Sequence, residues 1–162
     1  MIKSMVDPSW PLVTRDWRLF LAFGFGSGLS RWVPGTLGSL AAVPFAVLLH
    51  PLPLLWYLLV LLISAIIGIY LCGFAARRLG VHDHGGIVWD EFVGLWLTLI
   101  CAPSDWRYWL AAFVLFRFFD MLKPWPINWL DRRVDGGFGI MLDDIVAGIM
   151  ALAVLKLAVY WL

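Results

Sequence analysis

Acidic residues stand in pairs inside apolar runs of this chain, and Asp120 closes a third such run. The pairs are Asp90-Glu91 and Asp143-Asp144. A carboxylate deep in a bilayer costs about 2.5–3.5 kcal/mol, and intramembrane acids usually face the interior of a helix bundle or a water-filled cavity. If the three helices pack together, the carboxylates cannot all stay ionised without a cation. A divalent ion that prefers oxygen ligands, Mg²⁺ first, would satisfy them.

The alternative to a metal site is helix capping. An acid in the first turn of a helix is stabilised by the macrodipole, by about 0.3–1 kcal/mol. Capping explains one acid on each helix, but it does not explain two adjacent acids on each of two helices. In this alternative, the acids that do not cap a helix form structural ion pairs.

The two acid pairs lie in similar segments. Gly86-Ile-Val-Trp-Asp-Glu-Phe-Val and Gly139-Ile-Met-Leu-Asp-Asp-Ile-Val share Gly-Ile-x-x-Asp-acid-x-Val, and a glycine follows each pair, at Gly94 and Gly148. We interpret the segments as two walls of one site, with the glycines allowing close helix contact. Chance similarity in an apolar chain is the other interpretation.

Arg117, Asp120 and Lys123 are spaced i, i+3, i+6 and share one helix face. The two cations could bind phosphate beside the metal. They could equally form an intrahelical ion pair whose ends snorkel to the interface.

Two loop segments could contribute further polar groups. His82-Asp83-His84 could supply a proton donor or another ligand, although a loop histidine is often only solvated. The segment 24–39 is rich in glycine and hydroxyls, and such loops present backbone N–H groups to anions. Its candidate phosphate-binding residues are Ser27, Ser30 and Thr36.

The composition requires a membrane setting for these residues. Hydrophobic residues make up 62% of the 162 residues and charged residues 14%, against about 45–50% and about 25% in soluble domains. This excludes a soluble globular domain and a disordered chain. Twelve Lys and Arg against eleven Asp and Glu give no basic field for nucleic acid. We predict one membrane-embedded domain over residues 1–162.

We predict an all-α, polytopic membrane helical bundle of about five transmembrane helices, with a surface-lying or half-inserted segment at Leu19–Leu29. The spans are placed at residues 36–50, 53–76, 87–102, 106–122 and 141–161. The first is short and contains Gly38 and Pro44, so a partly re-entrant helix is the alternative there. With the N-terminus inside and the C-terminus outside, nine of the twelve Lys and Arg residues lie on the cytoplasmic side and only Arg107 lies outside. This bias follows the positive-inside rule.

Cys72 and Arg78 have the Cys-x5-Arg spacing of cysteine phosphatases. That chemistry needs a glycine-rich phosphate loop opening a helix to lower the thiol pKa. Cys72 instead falls near the end of a long apolar run. We therefore predict that Cys72 and Cys101 are both membrane-buried thiols with no catalytic role.

Three long stretches resemble the phosphatidylglycerophosphatase A family. They are GFGSGLSRWVPGTLGSLAA, GVHDHGGIVWDEFVG and FRFFDMLKPWPINWLDRRVDGGFGIMLDDIVAG. The resemblance covers residues 19–161 and leaves residues 1–18 as a cytoplasmic segment outside the pattern. It implies an enzyme of the bacterial cytoplasmic (inner) membrane. That family converts phosphatidylglycerol phosphate to phosphatidylglycerol and phosphate in a Mg²⁺-dependent reaction, on a phospholipid of the cytoplasmic leaflet.

The residues themselves, in agreement with this resemblance, give each candidate an expected role. The expected Mg²⁺ ligands are Asp90, Glu91, Asp143, Asp144 and Asp120, which could instead act as general base. The expected catalytic groups of the loop are His82, Asp83 and His84. The expected phosphate-binding residues are Arg117, Lys123, Ser27, Ser30 and Thr36.

Water activated by the metal is the expected nucleophile, with an aspartyl-phosphate intermediate as the alternative. The rival function is a membrane cation transporter or channel that uses the acid cluster. Transporters keep such sites near the midplane, whereas these acids lie at predicted inner helix ends. The sequence specifies no oligomeric state.

The charge bias predicts that residues 51–53 and 104–105 lie outside and that residues 80–86 and 124–136 lie inside. In intact cells, an impermeant thiol reagent should label Leu52→Cys and should not label His84→Cys. Labelling of the second variant alone would reverse the orientation.

Overall fold

Helices are the only regular secondary structure in residues 7–100 and 102–161, which the computed structural model describes. The short helices α1 (Trp10–Arg15) and α2 (Trp17–Ala22) lead into a 3-10 segment, Gly24–Leu29. The remaining helices are α3 (Pro34–Leu49), α4 (Leu54–Leu79), α5 (Trp89–Leu99), α6 (Trp106–Leu122), α7 (Ile127–Asp131) and α8 (Gly136–Trp161). The predicted all-α class is confirmed over these residues. The first six residues of the N-terminal segment 1–18 lie outside the described part.

Only two of the five predicted spans are long enough to be candidate membrane-spanning helices. By length and composition, α4 and α8 could cross a membrane. Helices α3, α5 and α6 have 16, 11 and 17 residues. At 1.5 Å per residue they extend about 24, 17 and 26 Å, short of the hydrocarbon thickness of about 30 Å. The described residues therefore correct the prediction of five full spans.

Backbone hydrogen bonding explains why α5 is shorter than its apolar run. The Ile87 N–H donates to the carbonyl of His84 at 2.7 Å, and the Val88 N–H donates to the carbonyl of Ala22 at 2.9 Å. The first bond closes a turn within the α4–α5 loop and the second ties Val88 to the end of α2, so neither residue extends the helix. The hydropathy of the sequence does not reveal these backbone hydrogen bonds, because both residues are apolar.

Helix α8 lies at the centre of the bundle, in contact with α4, α5 and α6. It meets α5 where two glycines face each other, since a Cβ on Gly148 would lie 2.6 Å from the carbonyl oxygen of Gly94. The Thr98 hydroxyl donates to the carbonyls of Gly94 and Gly148, at 2.9 and 3.3 Å. The predicted close contact at these glycines is confirmed. It holds the first turn of α5, which carries Asp90 and Glu91, beside the third turn of α8, which carries Asp143 and Asp144.

The outer face of α4 is apolar and exposed in the isolated chain. Leu62, Ile63 and Ile66 each have more than half of their surface accessible. The tryptophans Trp32 and Trp125 are exposed near the start of α3 and the end of α6, and Trp56 and Trp106 are exposed near the opposite helix ends. A lipid-facing surface edged by tryptophan has this composition, so membrane association fits the fold.

Because Gly148 has no room for a side chain, Gly148→Ala should force α5 and α8 apart and lower the free energy of unfolding by about 1–3 kcal/mol. Thermal unfolding in detergent measures the change. Ala153→Val adds carbon on an exposed face of the same helix and should leave stability nearly unchanged. Equal midpoints for both variants would contradict a close contact here.

Candidate functional site

A cavity of about 350 Å³ opens at the end of the bundle where α3, α5 and α8 begin and α6 ends. We call it the acid cavity. It brings together most of the residues singled out from the sequence. Its charged and hydroxyl lining residues are Thr36, Asp83, Asp90, Glu91, Arg117, Asp120, Lys123, Asp143 and Asp144. They come from three helices, the α4–α5 loop and the first turn of α3.

Glu91 is held by partners from two neighbouring helices. Its Oε2 accepts a hydrogen bond from the Ser39 hydroxyl at 2.6 Å and lies 3.1 Å from Nη1 of Arg117. Arg117 also pairs with Asp120, one turn further along α6. Gly35 allows this packing, because a Cβ there would collide with Glu91 and Arg117. Glu91 and Asp120 therefore share the single positive charge of Arg117.

Lys123 joins three elements at the end of α6. Its Nζ donates to Oδ1 of Asp131 and to Oδ2 of Asp143, both at 2.9 Å. Its backbone is left-handed, with φ of 41°, a conformation that favours glycine. Partial burial disfavours the charge of Lys123, but the hydrogen bonds to Asp131 and Asp143 outweigh it and raise the pKa of Lys123 above its ordinary value. Lys123 is thus a charged link between α6, α7 and α8.

Three aspartates keep buried oxygens that no hydrogen bond satisfies. They are Oδ1 of Asp90, Oδ1 of Asp143 and Oδ2 of Asp144, and Nε of Arg117 is likewise buried without a partner. All four residues line the acid cavity. Leaving a buried polar atom unpaired costs about 1–3 kcal/mol, and more when the group is charged. The cavity therefore offers unsatisfied acceptors for a cation and one unsatisfied donor for an anion.

The donor chemistry fits a hard divalent cation, although no coordination shell is preformed. Within the described ranges, no group of three or more His, Cys, Asp or Glu side chains is arranged to hold a metal ion as it stands. The fit rests on the three unpaired carboxylate oxygens around one cavity. Ligands of this kind suit Mg²⁺ rather than a softer metal such as zinc.

Four of the predicted site residues lie away from the acid cavity. His82 Nε2 lies 2.6 Å from Oδ1 of Asp135, and both side chains are at least half exposed. His84 accepts a hydrogen bond from the Gly86 N–H at 3.0 Å and lines a separate cavity with Ser30. The Ser27 hydroxyl donates to the Gly24 carbonyl at 2.8 Å, within its own turn. Of the histidine segment, only Asp83 reaches the acid cavity.

Two residues of the site were not predicted. Ser39 is fully buried and anchors Glu91, and Asp131 shares Lys123 with Asp143. Ser39 follows Gly35 by four residues, so both lie on the same face of α3. That spacing was readable in the sequence, but the partner on α5 was not.

Cys72 is fully buried inside the bundle, with its Sγ 4.0 Å from Sδ of Met141. It does not line the acid cavity. The predicted burial is confirmed for Cys72, and Cys101 lies outside the described residues.

A matching family model and two relatives at least 50% identical to the chain carry the same name. A family model described as phosphatidylglycerophosphatase A matches residues 20–159. Phosphatidylglycerophosphatase A of Escherichia coli (strain K12) is 56% identical over 144 residues, which are 88% of this chain and 83% of the relative.

Phosphatidylglycerophosphatase A of Haemophilus influenzae is 50% identical over 146 residues, 88% of each chain. A protein of Bacteroides thetaiotaomicron with the provisional name phosphatidylinositol-3-phosphatase is 36% identical over 151 residues, 86% of this chain and 92% of the relative. No solved structure matches the chain.

The contact between Ser39 and Glu91 predicts a stability effect. Ser39→Ala removes a donor from a buried carboxylate and should lower the free energy of unfolding by about 1–3 kcal/mol. The matched control is Ser104→Ala, at an exposed turn, which should change it by less than about 0.5 kcal/mol. Chemical denaturation in detergent compares them, and a silent Ser39→Ala would show that the hydroxyl does not support Glu91.

Proposed function

The chain belongs to the phosphatidylglycerophosphatase A family and is a phosphatase, and from this premise we propose that it hydrolyses the terminal phosphate of phosphatidylglycerol phosphate with the help of Mg²⁺. One observation in the structure supports the proposal most: the three aspartates that each keep an unpaired oxygen, and the arginine that keeps an unpaired nitrogen, line the same cavity. Phosphoryl transfer depends mainly on positioning and charge neutralisation, and both kinds of group are present.

We assign Mg²⁺ to Asp90, Asp143 and Asp144, whose unpaired oxygens are the available ligands. A bound Mg²⁺ would neutralise phosphate charge and polarise the phosphoryl group. Glu91 is already held by Ser39 and Arg117. Its role in this proposal is to orient Arg117.

The phosphate site combines Arg117 with the start of α3. Pro34 has no N–H, and the Leu37 N–H donates to the Val33 carbonyl at 3.0 Å. The amides of Gly35 and Thr36 therefore have no partner within the helix. They stand at the positive end of a 16-residue helix, where anions bind favourably. Phosphate oxygens placed in the cavity could accept from these amides, from the Thr36 hydroxyl and from Nε of Arg117.

Asp120 is the proposed general base. It lines the cavity and is oriented by Arg117. In the proposed step, a water oxygen forms a bond to phosphorus while Asp120 takes a proton from that water, and the bond from phosphorus to the lipid oxygen breaks. The proton held by Asp120 then passes to the leaving lipid oxygen, directly or through water, which gives the lipid hydroxyl and restores the carboxylate. Direct attack by an aspartate, through an aspartyl-phosphate, is the alternative step.

The acid cavity is proposed to face the cytoplasmic leaflet. The loops and helix ends around it carry Arg31, Arg77, Arg78, Arg132 and Arg133, as the positive-inside rule requires of that side. The rival function, a cation transporter or channel, finds no support in the family match. Its expected midplane site also differs from a cavity at the helix ends.

The function is tested by phosphate release from phosphatidylglycerol phosphate by the purified chain in detergent micelles, with Mg²⁺ and with a chelator. Chelation should abolish release. Asp90→Asn, Asp143→Asn and Asp144→Asn should each lower the rate at least about 100-fold, the scale of losing a group that stabilises transition-state charge. Glycerol 3-phosphate, which lacks the lipid anchor, should be at least about 100-fold poorer in kcat/KM.

Three controls sharpen this experiment. Asp105→Asn makes the same chemical change at the exposed N-cap of α6 and should keep full activity, as should Cys72→Ala. Phosphatidylinositol 3-phosphate tests the substrate suggested by the Bacteroides relative. Release that survives chelation would contradict Mg²⁺ dependence. Near-normal rates for two of the three aspartate variants would leave a structural role as the better account of the acids, by helix capping at Asp90 and by ion pairing at Asp143.

A further inference from the structure

A second cavity, of about 220 Å³, lies between α3 and α6. We call it the apolar groove. Its lining residues are Leu40, Val43, Leu95, Leu99, Trp109, Leu110 and Phe113. The one polar group among these side chains, Nε1 of Trp109, already donates to the Pro103 carbonyl at 3.1 Å. The groove therefore offers no hydrogen bond to a polar ligand.

The apolar groove and the acid cavity share the same helix faces. On α3, Thr36 lines the acid cavity, and Leu40 and Val43 follow at i+4 and i+7. On α6, Phe113 lines the groove, and Arg117 and Asp120 follow at i+4 and i+7 in the acid cavity. Residues at these spacings lie on one side of a helix. One seam between α3 and α6 is thus charged at one end and apolar beyond it.

The seam continues past the groove toward the opposite helix ends. A third cavity, of about 450 Å³, shares Val43 and Trp109 with the groove and adds Val47, His50, Ser104 and Trp106. From Thr36 to Val47 the seam extends about 17 Å along α3. A seam of this length suits a hydrocarbon chain better than a compact ligand.

The groove is open on the side where a bilayer would lie. Leu40 and Leu110, on opposite walls, are 55% and 52% exposed, whereas Leu95 and Leu99 in the floor are buried. A chain could therefore enter sideways from the membrane without separating the helices.

We propose that the apolar groove binds one acyl chain of the lipid whose phosphate occupies the acid cavity. The proposal rests on the proposed function. The occupant is inferred from the way the groove continues the acid cavity along one seam. A lipid has a charged head joined to apolar chains, and the seam has a charged end followed by an apolar part. An acyl chain that moves from the bilayer into the groove passes between two apolar media, so the groove adds little to the affinity for the lipid. The groove instead fixes the depth and direction of the head group, which is a contribution to positioning.

The test fills the groove from each wall and varies the chain length. Val43→Trp and Leu110→Trp place an indole in the groove. Val114→Trp, at an exposed position of α6 outside the groove, is the control. The substrates are dioleoyl and dibutanoyl phosphatidylglycerol phosphate in the same micelles. Val43 lies about 10 Å along α3 from Thr36, which a four-carbon chain does not reach.

Both groove variants should lose about tenfold in kcat/KM for the dioleoyl lipid and keep their activity on the dibutanoyl lipid. The control should keep both activities. Equal losses on the two lipids in both groove variants would indicate a structural lipid or a packing defect, and unchanged activity on both lipids would indicate an unused groove. Either result overturns the proposal. Failure of the proposed function is distinguishable, because the unmodified chain would then release phosphate from neither lipid.

Discussion

Carboxylates buried at the end of an apolar helix bundle need hydrogen bonds, cations or protons around them, and the rest of the site is arranged about that need. Glu91 is satisfied by Ser39 and Arg117, and one oxygen of Asp143 is satisfied by Lys123. Asp90 and Asp144 are equally buried, yet each keeps an oxygen without a partner. Removing one member of a buried pair is strongly destabilising. The matched acids thus form a frame, and the unmatched oxygens remain available to a ligand.

Helix packing determines where those oxygens stand. Gly94 and Gly148 let α5 and α8 approach until their backbones touch, and each acid pair lies about one turn before its glycine. The side-by-side arrangement of the pairs is therefore a consequence of packing. Gly35 has the same effect on the third wall, because it brings the start of α3 against Glu91 and Arg117. Small residues at three contacts make a charged cavity possible inside an apolar bundle.

Local patterns predicted the parts of this structure that depend on neighbouring residues. Acid pairs in apolar runs indicated a shared cavity, and the i, i+3, i+6 spacing placed Arg117 and Lys123 beside it. The sequence could not show that Ile87 and Val88 hydrogen-bond outside α5 and shorten it. Nor could it show that Ser27 bonds within its own turn, or that His82 turns to Asp135. Each of these outcomes depends on which donor meets which acceptor in space, and residue type alone leaves that choice open.

Because the acid cavity carries an excess of negative charge, binding of the proposed substrate depends on binding of the proposed metal. Six acids and two cations line it, and a phosphate monoester would add a charge of about −1.5 to −2. Like charges that share one cavity repel strongly where water is scarce. The anion can therefore enter only if cations or protons offset the carboxylates, and each favourable charge makes the other easier to bind. Arg117 alone cannot provide this, because Glu91 and Asp120 already share its charge. A divalent cation at the unpaired aspartates would reduce this repulsion where the carboxylates are closest to the phosphate, and would leave Nε of Arg117 and the amides of α3 free to orient it.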